Sequence, residues 1–139
     1  MASRKPSDSM AHVGSVNRWD VFWADLEPGV GHEQKGPPRP VVVVSNDGFN
    51  GAGFRMVTVV PATKAEGKRR AAYTFEVLLP KGTVTSEHAS IVMPHQIRSI
   101  STMRLLERIG VVSIVEYQRE IENRILEHLG IVFEAEEIE

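Results

Sequence analysis

The stretch KGPPRPVVVVSND, residues 35–47, places a permanent cation at the start of the most apolar segment of the chain. Arg39 precedes Pro40 and four valines, a pattern that predicts a strand at 41–45 buried on both faces. A guanidinium is always charged, and its planar fork of donors matches phosphate oxygens. Because a rigid strand would hold Arg39, its donors would be preorganised for such a group. The alternative is a surface arginine paired with a carboxylate such as Asp47.

Thr63 is the second candidate, following Pro61 at the end of a strand predicted over 54–60. Its hydroxyl can donate to a phosphate oxygen or accept from a substrate hydroxyl. The alternative is a turn threonine that bonds its own backbone. An arginine keeps its proton and cannot act as a base, so proton transfer needs another group. Three loop residues fit that task by type, and each is equally compatible with a solvated loop: His32, Glu33 and His95.

Charge is distributed unevenly although the net charge is only −2. Residues 35–108 hold eleven Lys and Arg against five Asp and Glu, whereas residues 109–139 hold eight Glu against two Arg. A basic middle and an acidic end permit a polyanionic partner, but a solvated basic surface explains them equally well. His88 and His95 are seven residues apart and lack a third ligand, so a metal site is not expected.

Composition indicates a soluble globular protein with one domain. The chain has 139 residues, of which 42% are hydrophobic and 24% charged, and it has no cysteine. Disulfides and thiolate zinc sites are therefore excluded. No apolar run is long enough to cross a membrane, and the first eighteen residues lack the apolar region of a secretory signal. We expect a cytoplasmic protein without a cofactor.

Turn residues divide the chain into short strands. We predict a disordered leader at 1–17, one domain at 18–133 and an acidic tail at 134–139. In the stretch NRWDVFWADL, alternate residues Trp19, Val21 and Trp23 would share one face of a strand. A loop rich in Gly and Pro follows at 27–40. Further strands are predicted at 73–79, 89–93, 96–101 and 109–112, with one helical turn within 102–108.

The spacing of apolar residues becomes helical near the C-terminus. Ser113 and Glu116 form a capping box. Gly130 indicates the end of the helix. The residues that follow one another at helical spacing are Ile114, Gln118, Ile121, Ile125 and Leu129. The sequence thus predicts a mainly β (α+β) fold, a small antiparallel β-barrel with a C-terminal amphipathic helix.

Four motifs together resemble one known family. WDVFWADLEPG, GHEQKGPPRPVVVVSND, VTVVPATK and SIVMPHQIRSIS occur in the order typical of the MazF/PemK toxins, and the resemblance runs from about residue 18 to 131. It implies an SH3-like barrel of the CcdB/PemK type and a homodimer. It also implies a sequence-specific, metal-independent endoribonuclease toxin that cleaves single-stranded mRNA, paired with a cognate antitoxin, a MazE-like protein with an acidic disordered segment.

The resemblance also assigns site residues. The arginine of the family's RP motif falls on Arg39 and the threonine of its P-x-T motif on Thr63, which implies that both are catalytic. Cleavage would use the 2′-hydroxyl of the RNA itself and leave a 2′,3′-cyclic phosphate and a 5′-hydroxyl. The loop before Arg39 is one residue longer than is common, and Ser101 stands where many members have Asp. Candidate RNA-binding residues are Gln34, Lys35, Lys64, Lys68, Arg69, Gln96 and Arg98, and candidates for base stacking are Trp23, Phe49 and Phe54.

Two other functions remain open at this point. A gyrase-poisoning toxin of the CcdB type would have a similar barrel, but the chain ends in GIVFEAEEIE without a tryptophan. An SH3-like adaptor would bind peptides through an aromatic groove, for which two Trp and two Tyr are few.

Overall fold

The computed structural model describes residues 14–34, 36–67 and 69–132. The described residues form seven strands, two α-helices and two short 3₁₀ helices. The 3₁₀ helices span Pro94–Gln96 and Thr102–Arg104. The strands and α-helices are β1 (Asp20–Ala24), β2 (Arg39–Val43), α1 (Asp47–Asn50), β3 (Met56–Lys64), β4 (Val77–Leu79), β5 (Ser90–Val92), β6 (Arg98–Ser101), β7 (Leu105–Val111) and α2 (Val115–His128).

All strand pairs are antiparallel, in the order β4-β5-β3-β2-β1-β7. β3 is long enough to have two partners on one edge: its first half pairs with β6 and its last three residues with β5. The predicted antiparallel sheet with a C-terminal helix is confirmed, with one difference. Among the described residues the strand order does not close into a full barrel.

The core has two parts because the central strands are buried on both faces. Val42 and Val44 belong to the cluster that receives Ile121 of α2, whereas Val41 and Val43 belong to a second cluster around Phe22. The valine run is therefore a strand buried on both sides, as its composition predicted. Its bounds differ, because β2 begins at Arg39 and includes the cation itself.

β3 does not stop at Pro61, contrary to the prediction. The strand continues to Lys64, so Thr63 lies inside it. Pro61 lies where β3 changes its partner from β6 to β5, and proline is tolerated at such an irregularity since no regular ladder needs its missing N–H. The Pro61 carbonyl still accepts from Met93 N at 2.9 Å.

The C-terminal helix is confirmed, but its predicted capping box is wrong. The N-cap is Ile114, without a side-chain cap, and the Gln118 side chain instead donates to the Val112 carbonyl at 2.8 Å. That bond fixes the first turn against the end of the sheet. At the other end Gly130 has φ +70°, and Ile131 N donates to the Leu126 carbonyl at 2.9 Å, which is the Schellman ending that a glycine permits.

Two other element boundaries in the structure differ from the predicted ones. The strand predicted at 73–79 is restricted to Val77–Leu79, because Glu76 N donates to the Tyr73 carbonyl at 2.9 Å and closes a turn. The helical turn predicted within 102–108 ends at Arg104, and β7 begins at once.

Residues 1–13 of the predicted leader and the tail at 134–139 lie outside the described residues, whereas Val16 already packs on the second core cluster. No helix in the described ranges is long and apolar enough to cross a membrane.

Candidate active site

Arg39 and Thr63 lie side by side on neighbouring strands. β2 and β3 pair with Val41 opposite Pro61, and two residues further this register brings Arg39 opposite Thr63. The Arg39 Nη1 atom lies 3.5 Å from Thr63 Oγ1, at the long limit of a hydrogen bond. Both residues are half-buried. The fold thus holds a guanidinium and a hydroxyl on one rigid two-strand unit.

Two cavities meet at this pair. The larger has a volume of about 950 Å³ and runs across the sheet from β5 to β7. The smaller, of about 290 Å³, lies between the 34–39 loop, the 69–76 loop and the Pro94–Gln96 turn. Three residues line both cavities: Arg39, Thr63 and Arg69. An extended ligand that occupied both cavities would therefore pass directly over Arg39 and Thr63.

His95 lines the smaller cavity beside Arg39 and Thr63. Burial lowers its pKa below the ordinary value; Glu76 opposes that shift, whereas His128 and Arg69 add to it. The imidazole is therefore largely neutral at pH 7. Its Nδ1 is buried and has no hydrogen-bond partner among the described residues. Of the three candidates for proton transfer, His95 is the one that shares a cavity with the Arg–Thr pair.

The loop before Arg39 is tied to the Pro94–Gln96 turn. Gln96 Nε2 donates to the His32 carbonyl at 3.1 Å, and Gln34 N donates to Gln96 Oε1 at 3.4 Å. The side chains of His32 and Glu33 are exposed and line neither cavity, and Glu33 accepts from Val30 N at 2.9 Å. Gln34 and Gln96 do line the smaller cavity. The loop thus brings two of the predicted RNA-binding residues to the Arg–Thr pair.

A buried carboxylate that sequence analysis missed holds Arg69. Glu76 has a side chain only 2% exposed, and both its oxygens lie 2.7 Å from Arg69 Nη2. Glu76 Oε1 also accepts from Tyr73 N at 3.0 Å. The hydrogen bond to Glu76 raises the pKa of Arg69. The signal in the sequence was a glutamate directly before an apolar strand, which by itself does not identify a partner.

The larger cavity has a mixed charge. Lys64 lines it together with Arg108, whose guanidinium donates to buried Asp20 at 2.9 Å. Three glutamates and a histidine also line it: Glu66, Glu87, Glu107 and His88. Arg98 lies on β6 opposite Val59 and lines neither cavity. Lys35 and Lys68 lie outside the described residues.

The candidate stacking residues separate in the structure. Trp23 lines the larger cavity, whereas Phe49 and Phe54 stack on each other at 5.7 Å outside both cavities. Two aromatics that sequence analysis placed in a strand, Tyr73 and Phe75, line the smaller cavity instead. In the described part of the chain no group of three or more His, Asp or Glu side chains is placed to hold a metal ion.

The sequence and the fold of this chain match known toxins. The family model for the PemK-like, MazF-like toxin of type II toxin–antitoxin systems matches residues 17–129. Endoribonuclease MazF9 of Mycobacterium tuberculosis is 40% identical over 105 residues, which cover 73% of this chain and 86% of the relative. Endoribonuclease EndoA of Bacillus subtilis is 37% identical over 94 residues, covering 68% and 78%. The chain belongs to the PemK-like, MazF-like toxin family.

Solved structures have the same fold as this chain. The crystal structure of MazF from Deinococcus radiodurans superposes with a TM-score of 0.67 at 25% identity, covering 84% of this chain and 98% of that one. An endoribonuclease from a mycobacterial species, solved with its cognate antitoxin, has a TM-score of 0.61 at 17% identity, covering 87% and 99%. The second likeness is one of fold alone. These matches confirm the family predicted from the four motifs and favour it over a gyrase poison or a peptide adaptor.

Proposed function

We propose that this protein, an endoribonuclease of the MazF-like toxin family, cleaves single-stranded mRNA at specific sequences without a metal ion. The observation that carries the proposal is the Arg39–Thr63 pair at the junction of two cavities. An RNA strand crossing from one cavity to the other would present a phosphate to that pair. The guanidinium would stabilise the charge that develops on the phosphate in the transition state, where a preorganised donor has its largest effect.

The reaction needs no nucleophile from the protein. The 2′-oxygen of the RNA attacks the adjacent phosphorus, the bond from phosphorus to the 5′-oxygen breaks, and the products are a 2′,3′-cyclic phosphate and a 5′-hydroxyl. One proton leaves the 2′-hydroxyl and one is added to the 5′-oxygen. His95 is the proposed group for one of these transfers, because a neutral imidazole can accept a proton and this one shares the cavity with the Arg–Thr pair. His32 and Glu33 could take part in proton transfer only if the loop that carries them moved toward the Arg–Thr pair.

Binding along the strand would come from the cations and amides that border both cavities. Lys64 and Arg69, which line the larger cavity, would contact phosphates, whereas Gln34 and Gln96, which line the smaller cavity, would contact bases or sugars. Lys35, Lys68 and Arg98 stay proposed RNA contacts; of these, Arg98 is described and lines neither cavity. The compartment we propose is the cytoplasm, where mRNA is available.

The proposed partners are a second copy of the chain and a cognate antitoxin. The antitoxin would place an acidic, otherwise disordered segment over the basic residues at Arg39 and Lys64 and so compete with RNA. Salt should weaken its binding because charge complementarity contributes much of the attraction. An antitoxin peptide that stopped cleavage while RNA still bound with unchanged affinity would contradict this competition.

The decisive test uses a labelled RNA that the purified protein cuts at one position. We expect cleavage in EDTA, products ending in a 2′,3′-cyclic phosphate and a 5′-hydroxyl, and no cleavage when the nucleotide at the cut carries a 2′-deoxy sugar. The deoxy substrate should still bind, since a single hydroxyl is lost. Cleavage of the deoxy substrate, or a requirement for Mg²⁺, would overturn the mechanism.

A further inference from the structure

Glu76 is a buried charge that the proposed reaction does not use. Its side chain is 2% exposed and is paired with the guanidinium of Arg69. Burial of a carboxylate is unfavourable unless it is paired and fully hydrogen-bonded, and an apolar residue of similar size is often at least as stable in such a place. Core stability alone therefore does not explain a glutamate here.

A continuous stack of side chains runs from this ion pair to His95. The Arg69 guanidinium lies 4.7 Å from the centre of the Tyr73 ring. Tyr73 stacks on Phe75 with ring centres 5.4 Å apart and planes 22° apart. Phe75 meets the His95 ring at 4.8 Å and 80°, edge to face. Glu76 contacts the first part of this stack at two points: it pairs with Arg69, and it accepts a hydrogen bond from the backbone N–H of Tyr73.

The stack forms a wall of the smaller cavity rather than part of the core. Tyr73 is 59% exposed and Phe75 44% exposed, and both line that cavity with Arg39 and Thr63. Large aromatics gain most from full burial, so their position at the surface of a cavity needs another reason. The two ends of the stack, Arg69 and His95, both face the Arg–Thr pair.

The His95 ring packs edge to face against Phe75. Its Nδ1 has no hydrogen-bond partner in the ranges that the structure covers, although a functional imidazole is usually held by a bond to one ring nitrogen. The ring contact that the structure gives it is the one with Phe75. The contact with Phe75 is therefore the one through which we expect the ring to be held.

We propose that Glu76 is a positioning residue, which acts through Arg69, Tyr73 and Phe75 to fix the His95 ring beside Arg39 and Thr63. The inference rests on the proposed RNA cleavage, because it assigns the stack a role in that reaction. The charged and titratable groups that act on His95 are Glu76 and Arg69 of the same loop and His128 of α2. Of these, Glu76 alone favours the protonated imidazole.

The test compares Glu76→Gln with Glu127→Gln. The control also removes a carboxylate from an ion pair with arginine, because Glu127 pairs with Arg124 at 3.1 Å on the surface of α2. Since a misplacement of about 1 Å in a site costs on the order of 10²-fold in rate, we expect kcat of Glu76→Gln to fall at least about tenfold while KM changes less. The control should keep the kcat of the parent protein.

A second readout does not depend on cleavage. The ring-proton NMR signal of His95 reports its titration directly, and Glu76→Gln should lower that pKa because a carboxylate that favours the imidazolium is lost. The signal should also broaden or shift as the ring loses its fixed contact with Phe75. If the parent protein cleaves no RNA, the proposed function fails, whereas the broadening or shift of the His95 ring signal still tests the stack.

Phe75→Leu is the second variant, needed if Glu76→Gln does not fold. It removes the ring that contacts His95 and keeps the buried ion pair, so a loss of kcat with a small change in KM is again expected. The inference is overturned if a folded Glu76→Gln or Phe75→Leu protein keeps the parent kcat. It is equally overturned if the His95 ring-proton signal keeps the same position and width in the parent protein and in Glu76→Gln.

Discussion

Arg39 Nη1 and Thr63 Oγ1 lie 3.5 Å apart across two adjacent strands, at the point where a large and a small cavity meet. The arrangement depends on β3 continuing past Pro61, since a strand that ended there would leave Thr63 in a turn. A long, weak contact between the two side chains can be exchanged for charge-assisted bonds to a phosphate, which are roughly twice as strong. Replacement of either residue should therefore affect the rate more than the fold.

Arg39→Ala should lower the cleavage rate by about 10²-fold or more, as for loss of a preorganised donor to the transition state. Arg39→Lys should recover little of that rate because an ammonium lacks the planar fork. Initial rates on the labelled RNA measure both. Arg119→Ala, which removes an exposed arginine of α2, is the matched control. An Arg39→Ala protein with full activity, or one that unfolds, would refute the assignment.

Thr63→Val should also lower the rate, on the order of 10²-fold, because valine keeps the shape of the side chain and removes the hydroxyl. Thr63→Ser should retain most of the activity. Thr58→Val is the control on the same strand: its hydroxyl bonds Ser99 Oγ at 2.8 Å, away from both cavities. Equal rates for Thr63→Val and the parent protein would exclude the hydroxyl from the reaction.

The stability of the protein should fall between about pH 6.5, the ordinary pKa of histidine, and the lower pKa of His95 in the folded state. Burial lowers the pKa of His95 in the native protein, so in this window the unfolded chain binds the proton more readily. The free energy of unfolding therefore decreases as pH falls through the window and is restored above it. Thermal unfolding of the parent protein and of His95→Gln from pH 7.5 to 5.5 measures the effect, and a decline equally steep in both would count against it.

Asp20→Asn should destabilise the fold by about 1–3 kcal/mol, the usual effect of removing one partner of a buried polar pair. Asp20 is 1% exposed, and its two oxygens accept from Arg108 and from Asn17 N, each at 2.9 Å. Urea unfolding measures the loss. Asp25→Asn is the control, because Asp25 is an exposed residue of the same segment. Comparable losses in both variants would show that burial of Asp20 is not the cause.

The protein should form a dimer, whose interface we predict to include Ile109, Val111 and Ile131. Val111 is 45% and Ile131 45% exposed in the single chain, and a two-fold interface would cover such apolar side chains. Sedimentation at micromolar concentration should give about twice the 15.4 kDa of one chain. Val111→Asp should shift the equilibrium to monomer. A single 15.4 kDa species for the parent protein would contradict the prediction.

The amino-acid sequence by itself determined the features that depend on neighbouring residues along the chain. Four consecutive valines specify a strand buried on both faces, since no exposed strand has that composition. The helical spacing before Gly130 specifies a C-terminal helix and its end. The motifs around Arg39 and Thr63 were sufficient to identify the family, because the spacing of several motifs in one order carries more information than any one of them.

Only the tertiary structure decided how those parts combine. From the sequence, Pro61 predicts the end of a strand. In the structure β3 continues past it because β3 changes its partner from β6 to β5, and this places Thr63 beside Arg39. Ser113 and Glu116 predict a capping box, but in the structure the N-cap is Ile114 and the Gln118 side chain donates to the Val112 carbonyl. Glu76 pairs with Arg69 beside a turn that the Glu76 N–H closes on the Tyr73 carbonyl, in a segment that the sequence pattern predicted to be a strand.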